Sequence, residues 1–136
     1  MRGVYLIQLL SFQVGHGYTI IDRVRDGVMN KRKVVAEVSV VPIGTGSASI
    51  SEYVASCIDV VAKKKGISYR LNPMGTILEG DLEEILDAVR EMHNVPFERG
   101  AQRVVTTLKI DDRCDKLLTM RGKLESVQKI KPKVKI

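Results

Sequence analysis

Residues 34–41, VVAEVSVV, alternate in the period-two pattern of a β-strand with one buried side. The apolar side consists of Val34, Ala36, Val38 and Val40. The opposite side is more polar and carries Glu37 and Ser39. We expect Pro42 to end this strand, because proline cannot donate a hydrogen bond to a neighbouring strand.

Apolar residues then recur at the three- and four-residue spacing of one helix face. These positions are Ile50, Tyr53, Val54, Cys57, Ile58 and Val61. Ser49 and Glu52 have the spacing of a capping box, and Gly66 follows where the helix can stop. The pattern predicts an amphipathic helix in which Cys57 is a buried core residue.

Two short segments, SYRLN at 68–72 and TILEG at 76–80, flank a proline–glycine turn and predict a β-hairpin. Asp81 and Glu84 then have the spacing of a second capping box, which predicts the start of another helix. The apolar stripe of that helix would consist of Leu82, Ile85, Leu86, Val89 and Met92.

RVVTTLKI at 103–110 predicts a fourth strand, and Asp112 is placed to cap a third helix. That helix would turn inward Leu117, Leu118, Leu124 and Val127. The order strand, helix, strand, strand, helix, strand predicts an α+β fold, the ferredoxin-like βαββαβ sandwich. Both helices would cover one face of a four-stranded antiparallel sheet, and the C-terminal helix would be an addition. The other face would be left open.

A functional site is expected on the open face of this sheet. Strand one contributes Glu37 and Ser39 to it. The other positions are Arg103, Val105, Thr107 and Lys109 from strand four and Glu79 from the hairpin, with Arg70 and Asn72 if its register permits. A carboxylate in the middle of a central strand needs a partner, so Glu37 either forms a structural ion pair or contacts a ligand. The valines of this face, Val35, Val41 and Val105, favour a covering partner, because they would otherwise lie in water.

The net charge of +6 is not spread evenly along the chain. Residues 1–33 carry six Lys/Arg against two Asp, and residues 129–136 carry four lysines, whereas residues 34–128 hold twelve basic and fourteen acidic residues. The central region is therefore mildly acidic, which argues against a nucleic-acid partner. No apolar run approaches the roughly 20 residues of a membrane span. Because the two cysteines also show no disulfide spacing, we expect a cytoplasmic protein without a membrane partner.

No catalytic or metal-binding constellation is visible in the sequence. His93 has no cysteine or carboxylate at a matching spacing, and His16 lies in the N-terminal segment, so no enzyme activity, metal or required cofactor is expected. The loop GTGS at 44–47 lacks the lysine of a P-loop. Backbone donors near Gly46 and Ser49 leave a weak anion site open, although a tight turn is the simpler interpretation. RNA-binding domains of this topology stack bases on strand aromatics, which are missing here.

The two ends of the chain differ from the central region. Residues 1–33 are interpreted as an N-terminal appendage or as an over-long start with Met29 as the functional initiator. A basic residue precedes an apolar stretch there, but no small-residue cleavage site follows, so a secretion signal is not favoured. Residues 34–128 would form the domain, and residues 129–136, KIKPKVKI, a basic tail.

Three stretches occur in an order that resembles the thiamine-binding protein family: AEVSVVPIGTGSASISEYVA, YRLNPMGTILEG and RVVTTLKIDDRCDK. The resemblance runs from about Val34 to Val127. It implies a ferredoxin-like fold, homodimers joined sheet to sheet that assemble into homotetramers, and no catalysis. It also implies binding of thiamine or its hydroxymethylpyrimidine part. Cys114 departs from the family pattern, and residues 1–28 have no counterpart in it.

Carried over through this resemblance, the candidate ligand-binding residues are Glu37, Ser39, Gly46, Ser49, Tyr53, Asn72, Met74, Thr76, Glu79, Arg103, Thr107 and Lys109. Thiamine is a cation with a flat aminopyrimidine ring, so the Glu37 carboxylate could pair with it. Ser39, Asn72 or Thr76 could satisfy other polar edges of the ring, and Met74 could pack on its face.

An alternative hypothesis places the protein in a different class. The polar sheet face would then serve only assembly, in a structural or regulatory oligomer that binds no thiamine. In that case Glu37 would simply pair with Arg103 or Lys109. Titration with thiamine and hydroxymethylpyrimidine distinguishes the two hypotheses.

Overall fold

The computed structural model describes residues 33–135, which contain four strands and three helices. In chain order the elements are β1 (Lys33–Ile43), α1 (Ser51–Ala62), β2 (Ser68–Asn72), β3 (Gly75–Asp81), α2 (Leu82–Glu98), β4 (Arg103–Asp111) and α3 (Met120–Ile130). Each predicted strand and helix is present, although several begin or end at other residues. The interpretations of residues 1–28, Met29 and His16 concern positions outside the described residues and stay predictions.

The four strands form one antiparallel sheet in the order β2-β3-β1-β4. β1 pairs with β3 on one side and with β4 on the other, and β2 pairs with β3. α1 and α2 pack against each other and against the sheet, and they share one apolar core with it. The predicted ferredoxin-like α+β fold, with β1 and β3 as central strands, is confirmed.

The core lies between the two helices and the apolar side of β1. Its fully buried members include Val34 and Val38 of β1, as the alternation predicts. Cys57 is 4% exposed, and its thiol donates to the carbonyl oxygen of Met92 at 3.4 Å, which joins α1 to α2. The prediction that Cys57 is a core residue is confirmed. Cys114 is exposed, and neither of these two cysteines forms a disulfide.

Pro42 does not end β1, contrary to expectation, but lies within the strand and pairs with Val104 of β4. Pairing between β1 and β3 extends only as far as Val38, so β1 has one neighbouring strand at the proline. Proline is tolerated at such a position because its missing N–H can face the unpaired side.

The capping box predicted for α1 is wrong. Ile50 occupies the N-cap position without a side-chain hydrogen bond, and the Ser49 hydroxyl lies 3.2 Å from that of Ser51. The Glu52 carboxylate pairs instead with the guanidinium of Arg99 at 3.1 Å. The Glu52 carboxylate therefore pairs with a charged residue just beyond the C-terminal end of α2, at Arg99, and not with the N-cap of its own helix.

The cap predicted for α2 is confirmed. The Asp81 carboxylate accepts hydrogen bonds from the backbone nitrogens of Glu83 at 3.1 Å and Glu84 at 3.5 Å. Ile85 is fully buried, as the stripe predicts, but Leu86 is 39% exposed. The buried stripe of α2 is therefore narrower than the sequence pattern suggests.

The third helix begins later than predicted. Asp112 does not cap it, because residues 112–119 form an irregular segment after β4. Thr119 is the N-cap, and its hydroxyl accepts a hydrogen bond from the Gly122 backbone nitrogen at 2.9 Å. The sequence places a good capping residue at both positions, and only the path of the chain distinguishes them.

The prediction of which side chains of the C-terminal segment are buried is only partly correct. Leu118 is buried, but Leu117 is 74% exposed and Val127 is 50% exposed. The helix continues to Ile130, two residues into the segment that was expected to be a tail.

Candidate functional site

Cross-strand rows of side chains lie on the sheet face opposite the helices, which we call the open face. The central row is Arg70 of β2, Ile77 of β3, Glu37 of β1 and Lys109 of β4. The adjacent positions place Asn72 beside Gly75 and Ser39 beside Thr107. The register therefore places seven of the predicted site residues on one face: Glu37, Ser39, Asn72, Glu79, Arg103, Thr107 and Lys109.

Glu37 forms an ion pair with Lys109, its direct cross-strand neighbour. The Glu37 side chain is 38% exposed, whereas the Lys109 side chain is 72% exposed. Exposed pairs of this kind contribute only about 0–1 kcal/mol. The hypothesis of a purely structural role predicted an ion pair for Glu37, and this pair exists. It is weak enough that a ligand could displace the lysine at little cost in free energy.

The backbone of β3 leaves space beside the Glu37 carboxylate. Gly75 has no side chain there, and an added Cβ would lie 3.5 Å from Glu37 Oε1 and 3.1 Å from the Val38 carbonyl oxygen. A larger residue at this position would fill the space next to the carboxylate. Because residue 75 is glycine, no side chain at that position covers Oε1 of the Glu37 carboxylate.

The C-terminal segment closes one end of the open face. The Glu79 carboxylate accepts a hydrogen bond from the backbone nitrogen of Met120 at 2.8 Å, and Lys123 forms an ion pair with Asp111. Glu79 and Asp111 are the two cross-strand neighbours of Val35. α3 therefore contacts the strands on both sides of Val35, through Glu79 of β3 and through Asp111 of β4.

Val35 and Leu118 are buried outside the main core. They are 8% and 4% exposed, yet neither belongs to the core cluster under the helices. The expectation that Val35 needs a covering partner chain is therefore wrong, because it is already buried within this chain. Glu79, a candidate ligand residue, accepts a hydrogen bond from the first residue of α3.

The other end of the open face is apolar. Val41 of β1 pairs with Val105 of β4, which is 44% exposed, and the last pair is Ile43 with Arg103. Arg103 therefore lies at the far end of the face, three cross-strand pairs beyond Glu37 along β1. It is not the residue that pairs with the carboxylate.

Thr76, a candidate ligand residue through the family resemblance, does not lie on the open face. It pairs with Val38 and is 5% exposed, on the side of the sheet that the helices cover. Successive residues of a strand point to opposite sides of the sheet. Thr76 lies between Gly75 and Ile77, which belong to the open face, so its side chain points to the other side. Met74 lies in the hairpin turn and is 87% exposed.

Tyr53, Ser49 and Gly46 lie away from the row that contains Glu37. Tyr53 is half-buried on α1, and the guanidinium carbon of Arg99 lies 5.7 Å from its ring centroid. Gly46 and Ser49 belong to the loop between β1 and α1. One chain therefore does not bring all twelve predicted residues into a single site.

The loop GTGS turns the chain by its own hydrogen bonds. Gly44 has φ of +76°, a conformation that favours glycine. The Thr45 hydroxyl donates to the carbonyl oxygen of Ser47 at 2.7 Å, and the Ser47 hydroxyl accepts from the Ser49 backbone nitrogen at 3.1 Å. One of the backbone donors considered for an anion is thus already used within the loop.

A groove of about 810 Å³ lies between α1 and the β2–β3 hairpin. It is lined mainly by apolar side chains, including Ile50, Val54 and Leu71, with Asn72 at its edge. A second groove of about 470 Å³ follows the loop after β1. Glu37 is not among the residues that line either groove.

Residues 33–135 contain no cluster of three or more His, Cys, Asp or Glu side chains that could hold a metal ion. His93 of α2 uses its Nδ1 to contact the Thr106 hydroxyl at 2.8 Å, and its ring meets that of Phe97 edge to face.

Among residues 33–135, none of the helices combines the length and the apolarity that crossing a membrane requires.

The fold and the open face define a ferredoxin-like domain with a carboxylate at the centre of a polar sheet surface. Residues 36–128 match the sequence profile of the thiamine-binding protein family, and the chain belongs to that family. The UPF0045 protein MJ1052 of Methanocaldococcus jannaschii is 50% identical over 96 residues, which cover 71% of this chain and 93% of that one. The UPF0045 protein YqgV of Bacillus subtilis is 40% identical over 98 residues, covering 70% and 94%.

Solved structures share the same fold. The crystal structure of the hypothetical protein MJ1052 matches with a TM-score of 0.65 and 48% identity, over 71% of this chain and 96% of that one. A putative thiamine biosynthesis/salvage protein from Thermotoga maritima matches with a TM-score of 0.58 and 29% identity, over 70% and 98%.

Proposed function

We propose that this protein binds thiamine or its hydroxymethylpyrimidine part without catalysing a reaction, and that the ligand lies on the open face against Glu37. Membership of the thiamine-binding protein family is the observation that carries this proposal, since the matched residues 36–128 include Glu37 and the other open-face residues proposed to contact the ligand. The relative from Thermotoga maritima described as a putative thiamine biosynthesis/salvage protein supports the same ligand class.

The chemistry of the central row suits a cation that carries a flat aminopyrimidine ring. The Glu37 carboxylate can accept charge-assisted hydrogen bonds from the ring and its amino group, which are about twice as strong as neutral ones. Ser39 and Thr107, side by side on the neighbouring strands, offer hydroxyls that both donate and accept. Ile77, next to Glu37 across β3, provides an apolar surface for the ring.

A ligand on the open face needs a second surface to cover it, since small-molecule sites bury most of their ligand. We infer that a second copy of the chain supplies this surface, in a homodimer or homotetramer. The apolar end of the open face, with Val105 and Ile43 each at least 40% exposed, favours such contact. Two cysteines outside any disulfide, Cys57 and Cys114, are in keeping with a reducing, cytoplasmic environment.

Isothermal titration with thiamine and hydroxymethylpyrimidine tests the proposal. Glu37→Gln keeps the shape of the side chain but removes its charge, and we expect it to weaken thiamine binding by about 1–3 kcal/mol. Glu98→Gln is the matched control, because it makes the same change on exposed α2 surface and should leave the affinity unchanged. Melting curves of both variants show whether the fold is kept.

Two other outcomes are distinguishable. If Glu37→Gln binds thiamine as well as wild type but melts at a lower temperature, Glu37 is structural and the proposed site is wrong. If Leu71→Gln, in the groove between α1 and the hairpin, weakens binding while Glu37→Gln does not, the ligand occupies that groove instead.

A further inference from the structure

The ion pair between Glu37 and Lys109 occupies the carboxylate before any ligand arrives. The two residues are direct neighbours on adjacent strands, and within residues 33–135 Lys109 is the ion-pair partner that Glu37 has. The lysine ammonium pairs with Glu37 Oε2, so a ligand that engages both oxygens of the carboxylate must exchange places with it.

The two partners differ in how easily they can move. Glu37 lies in the middle of central strand β1 with 38% of its side chain exposed, whereas 72% of the Lys109 side chain is exposed on edge strand β4. A lysine has a long flexible stem and can turn its ammonium into water while the stem stays on the protein surface. Lys109 is thus the partner that can leave.

We propose that Lys109 is an internal competitor for the Glu37 carboxylate and that it selects ligands by charge. This inference rests on the function proposed above, and it gives Lys109 a different role from the ligand contact that the family resemblance implies. A permanent cation replaces the lost ammonium with another positive charge. A neutral ligand has only hydrogen bonds to offer, so it competes less well with the pair.

The inference predicts an order among substitutions at position 109. Lys109→Met keeps the length of the stem but removes the competing charge, so thiamine should bind roughly two- to fivefold more tightly. Lys109→Arg should weaken thiamine binding relative to wild type, because a guanidinium can hold the carboxylate with two parallel hydrogen bonds. The gain in Lys109→Met should be larger for neutral hydroxymethylpyrimidine than for cationic thiamine, because the neutral ligand competes less well with the intact ion pair.

Lys64→Met is a matched control. Lys64 pairs with Glu91 at 2.5 Å on the helix layer, so this variant also removes one positive charge and breaks an exposed lysine–glutamate pair. Its thiamine affinity should equal that of wild type. Titration calorimetry gives the affinities, and melting temperatures confirm that all four proteins are folded.

The inference is supported if thiamine affinity falls from Lys109→Met through wild type to Lys109→Arg while Lys64→Met binds thiamine as tightly as wild type. Equal affinities across position 109, weaker binding by Lys109→Met, or an equal gain for the neutral ligand would overturn it while leaving thiamine binding intact. If neither wild type nor Lys109→Met binds thiamine at about millimolar concentration, which sets a very weak limit on affinity, the proposed function fails together with the inference.

Discussion

The Glu79 carboxylate accepts a hydrogen bond from the backbone nitrogen of Met120 at 2.8 Å, across 41 residues of sequence. Met120 is the first residue of α3, where backbone N–H groups have no partner within the helix. A negative charge at this end also interacts favourably with the helix dipole. A strand residue of the open face thereby fixes the start of the C-terminal helix.

We therefore expect Glu79→Ala to loosen α3 rather than to remove a ligand contact. Loss of a charge-assisted cap should cost about 1–2 kcal/mol and increase hydrogen exchange of the amides of α3. Hydrogen-exchange mass spectrometry of residues 120–130 measures this effect, with Glu98→Ala as the control. Unchanged exchange in α3, combined with weaker thiamine binding, would return Glu79 to the ligand site.

The sequence predicted which face of β1 and β4 each side chain occupies, because alternation along a strand is a local property. Glu37 and Lys109 were placed correctly for this reason. The family resemblance named Thr76 as a candidate ligand residue without assigning it to a face, and the side of a hairpin residue depends on which residues pair around the turn. The path of residues 112–119 was missed, because no local pattern encodes how an irregular segment crosses a sheet.

A capping signal could have located part of this arrangement. Thr119 is a favoured N-cap residue, and choosing it over Asp112 would have placed the start of α3 correctly. The contact between Glu79 and Met120 has no such signal, because it joins a strand to a helix that is distant in sequence.

The buried position of Thr76 gives a second prediction. It lies on the helix-covered side of β3 and is 5% exposed, so a ligand on the open face cannot reach it. Thr76→Val should leave thiamine affinity unchanged, whereas Ser39→Ala on the open face should reduce it by about 0.5–1.5 kcal/mol, the usual net value of one hydrogen bond. Titration of both variants tests the choice of face, and the reverse result would place the site on the other side of the sheet.

Burial raises the pKa of the Cys57 thiol from its ordinary value of 9.0 to about 11. The unfolded chain releases this proton above pH 9, whereas the folded chain retains it until about pH 11. The contribution of Cys57 to the free energy of unfolding is therefore complete below pH 9 and is lost as the pH rises to 11.

Denaturant unfolding at several pH values between 9 and 11, compared with Cys57→Ala, measures this loss. The wild type should lose more stability over this interval than the variant, which has no thiol at this position. A thiol reagent at neutral pH should modify exposed Cys114 quickly and Cys57 only on unfolding. Equal pH dependence of the two proteins would show that Cys57 does not titrate as its burial indicates.

The apolar end of the open face predicts assembly. Val105 is 44% exposed and pairs with Val41 at the end of the face that α3 does not close. If a second copy covers this end, Val105→Asp places an unpaired carboxylate in an apolar contact. Burying that charge is unfavourable enough that we expect the oligomer to dissociate. Light scattering should then give the 15.1 kDa mass of one chain for the variant and a multiple of it for wild type.

Leu86→Asp is the control for this experiment. Leu86 is 39% exposed on α2, in the layer away from the open face, so an acidic residue there changes net charge equally without touching the proposed contact. Its mass should match that of wild type. If Val105→Asp remains assembled, or if Leu86→Asp dissociates instead, the contact lies on the helix layer. The open face around Glu37 would then have to bind its ligand without a covering chain.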